Sequence, residues 1–233
     1  MTIAQQTTTE PLSAMLRRVS MGGHRRSEDE ADAPEPRYAT AYLRGGLNRE
    51  GIAAQAAHHF LMYEALEAAT SAQVERQGPG FAFAMPELRR LPALRADLAH
   101  WVGPDWESAV RGRYATPGIH AYAARIRETA PVSLPHFVAH HYTRYLADLS
   151  GGLMIVKMFR DSYGITGDDG VRFYAFDTIP EPREYKDRYR ALLDELPFTP
   201  EEKETVATEV QLAYELNNAA GADLEARFPE YRA

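Results

Sequence analysis

A chain of 233 residues with net charge −7 and no cysteine is long enough to bury a real core as one domain. Its acidic balance argues against nonspecific nucleic-acid binding, which rests on an excess of Lys and Arg over phosphates. The missing thiols exclude disulfides, thiolate ligation of a metal and Cys-based zinc sites. Apolar residues recur at helical rather than alternating spacing and β-branched runs are scarce, so the expected fold class is all-α, a single-domain helical fold. No apolar run reaches the about 18 residues of a membrane span and no signal-peptide pattern opens the chain. A cytoplasmic protein with no membrane contact is expected.

Residues 1–10 are polar and read as a flexible tail, leaving 11–228 as the domain. Pro11 stands in a first helical turn, and Leu12, Met15, Leu16, Val19 and Ser20 form one face of a helix. That helix carries His24 with Glu28 one turn later, on the same face. An imidazole binds a metal through one nitrogen when its other N–H is held, and a neighbouring carboxylate is a suitable holder. The same pair inside GGHRRSEDE also reads as a solvated surface pair, and the residues alone leave both open. The run DEADAPEPR at 29–37 breaks the helix. A second helix is expected over 48–72, with Ile52, Gln55, His59, Met62, Tyr63 and Leu66 in register. His58 and His59 are adjacent and do not face one site, so they read as packing or solvated rather than as ligands. Residues 75–92, rich in Gly and Pro, form a connector, and helices follow near 92–100, 105–114 and 117–128.

The stretch 135–163, PHFVAHHYTRYLADLSGGLMIVKMFRDSY, reads as one long helix with two glycines in its middle. Each glycine costs a helix interior about 1 kcal/mol relative to alanine, so Gly151 and Gly152 need a compensating use. At 100° per residue His141, Tyr145, Asp148 and Gly152 share one face with Arg144 and Gly151 beside them, while Tyr142, Leu146, Leu149 and Leu153 take the other. A side-chain-free patch lets a flat ligand lie against the backbone and gives the helix a place to bend; tight helix packing is the alternative. Beyond Tyr163 a loop leads to a basic helix, EYKDRYRALLDEL, with Lys186 and Arg190 one turn apart. Two such cations suit two carboxylates, or the internal ion pairs of a solvated helix. A last helix starts at Thr199, with Pro200 and Glu202 in its first turn. No phosphate loop, nucleophile elbow, zinc-protease motif or repeat competes.

The segment HHYTRYLADLSGG closely resembles the distal helix of the haem oxygenases, and weaker matches in the same order extend over about 12–225. The resemblance implies haem b as both substrate and cofactor, lying between a proximal and a kinked distal helix. It makes His24 the iron ligand, held by Glu28, and lays Gly151 and Gly152 against the porphyrin. Asp148, with Arg144, orders water beside the iron. Arg17, Tyr142, Lys186 and Arg190 bind the propionates and so choose which meso carbon is attacked. Tyr63 and Asn217 join the distal hydrogen-bond network, and Tyr214 lines the pocket. The implied reaction is oxidative ring opening to biliverdin, carbon monoxide and ferrous iron, with dioxygen and electrons from a ferredoxin or a reductase. The basic cluster Arg17, Arg18, Arg25 and Arg26 suggests where an acidic donor docks. Departures are Ala147 where glycine is typical, Leu153 where glutamine is common, Gly221 where an aromatic is usual, and glycines at 22 and 23. Ala147 is the best sequence argument for the alternative, a non-catalytic haem carrier of the same fold.

Overall fold

The structure, a computed structural model, describes residues 10–23 and 36–233, and the described residues contain no strand, only an isolated bridge between Leu47 and Arg232. In chain order the helices are α1 (Leu12–Gly23), α2 (Arg37–Arg44), α3 (Arg49–Gln77), α4 (Leu91–Val102), α5 (Trp106–Arg111), α6 (Pro117–Thr129) and α7 (Leu134–His141). After α7 a π-helical segment, Tyr142–Leu146, runs into α8 (Ala147–Tyr163), followed by α9 (Pro182–Asp194), α10 (Pro200–Ala226) and a short α11 (Phe228–Tyr231). His24, Glu28, Arg25 and Arg26 lie outside the described residues.

α3 is the axis of the fold. It starts where the Asn48 side chain accepts a hydrogen bond from the Gly51 N–H at 3.0 Å, and it runs past the expected stop at residue 72 to Gln77. Its alanines (Ala53, Ala54, Ala57, Ala65, Ala69) are buried and let α4 and α6 pack close on different sides. α10 is the second long element, opened by a capping box in which Thr199 accepts from the Glu202 N–H and the Glu202 carboxylate accepts from the Thr199 N–H. It spans α1, α6 and α7. Arg125 of α6 donates two hydrogen bonds, 2.9 and 2.7 Å, to the buried Glu209 of α10. The N-terminus of α1 is held by Asp194, whose carboxylate accepts from the Ser13 N–H at 2.8 Å and its hydroxyl at 2.7 Å.

The stretch after Tyr163, which reads as a plain loop, is part of the core. Val171, Phe173, Tyr174, Phe176 and Ile179 are all buried around a 3₁₀ turn, Arg172–Tyr174. Asp97 accepts from the backbone N–H groups of Arg172 (3.0 Å) and Phe173 (2.7 Å), and Arg90 donates to the carbonyls of Phe173 (3.3 Å) and Ala175 (2.8 Å). Two buried ionisable groups thus take up the backbone polarity that an irregular segment brings inside.

Three of the core histidines meet polar side chains. His58 Nε2 meets Thr116 Oγ1 at 3.3 Å, His59 Nε2 meets Gln55 Nε2 at 2.9 Å, and His141 Nδ1 meets the Tyr189 hydroxyl at 2.8 Å. Burial pushes all three below the ordinary imidazole value, His58 to about 4 and His141 to about 3, while burial pushes Asp97 up to about 6. The imidazoles stay neutral in the fold but take protons in the unfolded chain below pH 6.5, so each withdraws stability as pH falls; Asp97 takes its proton in the fold first and opposes them. His136, also lowered by burial, acts in the same direction, so the histidines outweigh Asp97 and leave the unfolded state with more protons. Stability is therefore expected to fall by about 2 kcal/mol between pH 6.5 and 5.5, measured as urea unfolding free energy; a flat profile would contradict these neutral histidines.

Candidate active site

The π-helical segment decides which side chains reach the site. Within it the Tyr142 N–H is shared between the carbonyls of Val138 and Ala139, and Thr143 Oγ1 donates back to the Ala139 carbonyl at 2.8 Å. A wider turn of this kind shifts the helical phase of everything after it. The expected single helix over 135–163 is thus corrected to α7, a π segment and α8, and the expected apolar face breaks in two: Leu146 and Leu149 are buried, whereas Leu153 is 65% exposed, with Met154 63% exposed beside it.

The two glycines also part company. A Cβ on Gly152 would run into the carbonyl oxygen of Tyr174, so here the backbone is packed on the 3₁₀ turn. At Gly151 an added Cβ meets only Ile155 Cδ1, at 3.7 Å. Gly151 thus leaves bare backbone on an open surface that continues through exposed Ala147 one turn before and Met154 after.

Next to that surface lies an enclosed polar set. Tyr63, from the middle of α3, donates its hydroxyl to Asp148 Oδ2. Arg144 Nη2 stands 3.4 and 3.3 Å from the two Asp148 oxygens, and its Nη1 donates to Asn217 Oδ1 of α10 at 3.1 Å. Side-chain exposures of 9% for Arg144 and 12% for Asp148 keep the pair largely out of water. Burial raises the Tyr63 hydroxyl well above the ordinary phenol value and the Asp148 charge adds to it, so Tyr63 is a fixed donor. Burial alone would depress Arg144, but the charge of Asp148 and the neighbouring phenols, Tyr63 and Tyr122, hold it up. Arg144 Nε and the Tyr122 hydroxyl, both buried, meet no hydrogen-bond partner among the described residues. Buried polar atoms of this sort take an ordered water.

The basic residues gather at the rim. Tyr142 is half-buried; burial raises its hydroxyl, Ser20 of α1 lies 3.4 Å away, and the charges of Arg190 and Arg17 both act on it. Lys186 Nζ donates to Ser150 Oγ of α8 at 3.2 Å, and Arg190 pairs with Asp187 at 2.7 Å. Tyr214 of α10 is partly buried against the core and also acts on Tyr142. Arg18 pairs with Glu10 rather than standing free. Sequence reasoning missed Tyr122, Ser150 and the Tyr174 carbonyl. Ser150 had a signal, a polar residue beside the glycine pair; the others depend on contacts far apart in the chain.

A family model described as Heme oxygenase matches residues 10–222. The chain belongs to the haem oxygenase family. Among curated relatives, heme oxygenase 1 of Rattus norvegicus is 32% identical over 95% of this chain and 74% of its own length, and heme oxygenase 2 of Synechocystis is 31% identical over 92% and 83%. Among solved structures, heme oxygenase-1 of Synechocystis in complex with heme superposes with a TM-score of 0.79 at 26% identity, covering 94% of this chain and 95% of that one. The Synechocystis heme oxygenase-2 complex with heme and NO gives 0.77 at 30% identity, covering 92% and 85%. The all-α haem oxygenase fold is thus established, as is membership of a family of enzymes that degrade haem. Among the described residues no helix is long and apolar enough to cross a membrane.

Proposed function

We propose that this haem oxygenase opens the ring of haem b to biliverdin, carbon monoxide and ferrous iron, using dioxygen and electrons from a donor such as a ferredoxin or a reductase in the cytoplasm. One observation carries the reading: the enclosed Tyr63–Asp148–Arg144–Asn217 set stands directly beside the bare backbone of Gly151. A flat apolar ring fits the surface of Ala147, Gly151 and Met154, and basic groups fit the propionates at its rim. Bound haem supplies the iron at which dioxygen is reduced; His24, steadied by Glu28, is assigned to that iron.

The chain's own residues then divide the work. Tyr63 and Arg144 hold Asp148 in place as a hydrogen-bond acceptor, and Asp148 in turn orders water on the open side. Water held by Asp148 would be the route by which this side of the chain hands on a proton. An imidazole acting directly as acid and base, which would favour O–O scission, is not what this side presents. Arg144 offsets the Asp148 charge and is steadied by Asn217, while Gly151 lets the ring approach. Tyr214 lines the same pocket, and Gly152 sets the height of the helix through its contact with the Tyr174 carbonyl.

Arg17, Tyr142, Lys186 and Arg190 are assigned to the propionates. The Arg190–Asp187 pair is exposed, and pairs of that kind are worth under about 1 kcal/mol, so Arg190 is readily redirected to a carboxylate. Replacing Lys186 and Arg190 together by alanine is expected to broaden the biliverdin isomer mixture while changing the rate by less than about tenfold, because these cations orient the ring rather than handle protons. Chromatography of the isomers checks this; a single unchanged isomer would remove the role.

The function is tested by titrating the protein with haem and then adding ascorbate or a reductase in air. Loss of the haem spectrum with the appearance of biliverdin is expected, and stable bound haem would instead favour a carrier. His24→Ala should abolish turnover and weaken binding, with partial rescue by imidazole; an unchanged spectrum would release His24 from the iron.

A further inference from the structure

Away from this site, a cavity of about 480 Å³ opens between the connector before α4 and the outer side of α9. Its walls are small or apolar: Ala82, Ala84 and Met85 on one side, Ala191 and Leu192 on the other. Three alanines facing each other across a groove leave room that larger side chains would fill. The floor is Tyr189, which is 1% exposed and whose hydroxyl meets His141 Nδ1 at 2.8 Å, so a molecule seated there rests on a ring tied to α7. The volume falls within the range of small-molecule sites, which are concave, mostly apolar and finished by a few polar groups.

Two charged groups stand at the mouth, and they are not equivalent. The Glu87 carboxylate accepts the Tyr185 hydroxyl at 3.0 Å. The Arg188 guanidinium lies over the Tyr185 ring, 5.2 Å from its centre, and has no ion-pair partner among the described residues. The contact with the ring leaves the donors of this exposed guanidinium to a ligand, and their planar fork matches a carboxylate. We propose that this cavity is a second small-molecule site, distinct from the haem cleft, that takes an amphipathic carboxylate with its apolar chain between the alanine walls and its head on Arg188. The proposal does not depend on the haem assignments, since no residue of the cavity belongs to the propionate or distal sets.

The test uses dodecanoate below its micelle concentration, with dodecylammonium as the matched cation, in calorimetric titrations of the full chain. Dodecanoate is expected to bind at one site, and Arg188→Glu to weaken it about tenfold or more while favouring dodecylammonium. Ala191→Trp should abolish binding of both by filling the groove. Helical circular dichroism equal to that of the parent qualifies each variant, and Ala82→Trp on the facing wall replaces Ala191→Trp if it fails. Equal dodecanoate affinity in Arg188→Glu, or binding that survives the tryptophan, would overturn the proposal. So would the absence of binding. Displacement of the probe by one equivalent of haem would put it in the haem cleft and equally end the idea.

Discussion

Replacing Arg144 by methionine is expected to cost about 3–5 kcal/mol of stability and to end haem turnover. The guanidinium links three elements: the π-helical segment that carries it, Asn217 of α10 at 3.1 Å, and Asp148 of α8 at 3.3 Å. Methionine keeps much of the volume but leaves the Asp148 carboxylate, only 12% exposed, with Tyr63 as its remaining partner. Removing one member of a buried pair is far more damaging than removing both, because the survivor keeps its desolvation penalty. The double variant Arg144→Met with Asp148→Asn should therefore recover much of the stability and none of the activity. Arg144→Lys retains the charge, yet one ammonium cannot reach Asn217 and Asp148 in the geometry of a planar fork. Urea unfolding of the three variants, beside haem turnover, makes the comparison. A loss under about 1 kcal/mol in Arg144→Met would mean that Asp148 is better solvated than its burial implies.

Much of this architecture is legible in the chain because its signals are local. Asn48 and Thr199 start their helices where cap chemistry requires, and the helical spacing of Leu12 and Leu16 puts both in the core. The distal motif joins Arg144 to Asp148 by an i,i+4 spacing that any helical wheel reveals. What the spacing cannot reveal is the π segment: its wider turn depends on carbonyls shared at Val138 and Ala139 and on packing around it, so extrapolation at 100° per residue loses phase and misplaces Leu153. The same limit hides the 164–181 segment. Its turn residues read as a surface loop, and only Arg90 and Asp97, some 75 positions or more away in the chain, make burial of its backbone affordable. The partner of Gly152 comes from that segment, which is why two adjacent glycines look alike in the sequence and differ in the fold.

Alanine at the two glycines is accordingly expected to act with opposite signs. At Gly152 the new methyl group meets the Tyr174 carbonyl, and that carbonyl cannot retreat: Asp97 holds the adjacent N–H groups of Arg172 and Phe173 within the turn, and Arg90 the carbonyls of Phe173 and Ala175. Overpacking against fixed backbone, at the upper end about 3 kcal/mol, outweighs the about 1 kcal/mol that alanine gains in helix propensity, and a net loss of about 2 kcal/mol follows. At Gly151 the methyl group meets only Ile155 Cδ1, at an ordinary 3.7 Å, so the propensity gain of up to about 1 kcal/mol stands. The same methyl group rises from the surface assigned to the ring, and haem affinity and turnover should drop while thermal stability increases. Ala147 calibrates the comparison, since it already carries a methyl group one turn earlier on that exposed surface. Ala147→Gly should cost about 1 kcal/mol and leave the biliverdin yield nearly unchanged, because the surface assigned to the ring is already shaped with that methyl group in place. Should Ala147→Gly instead raise the yield several-fold while Gly151→Ala leaves haem affinity untouched, the ring lies nearer residue 147 than 151 and the bare backbone of Gly151 serves the helix alone.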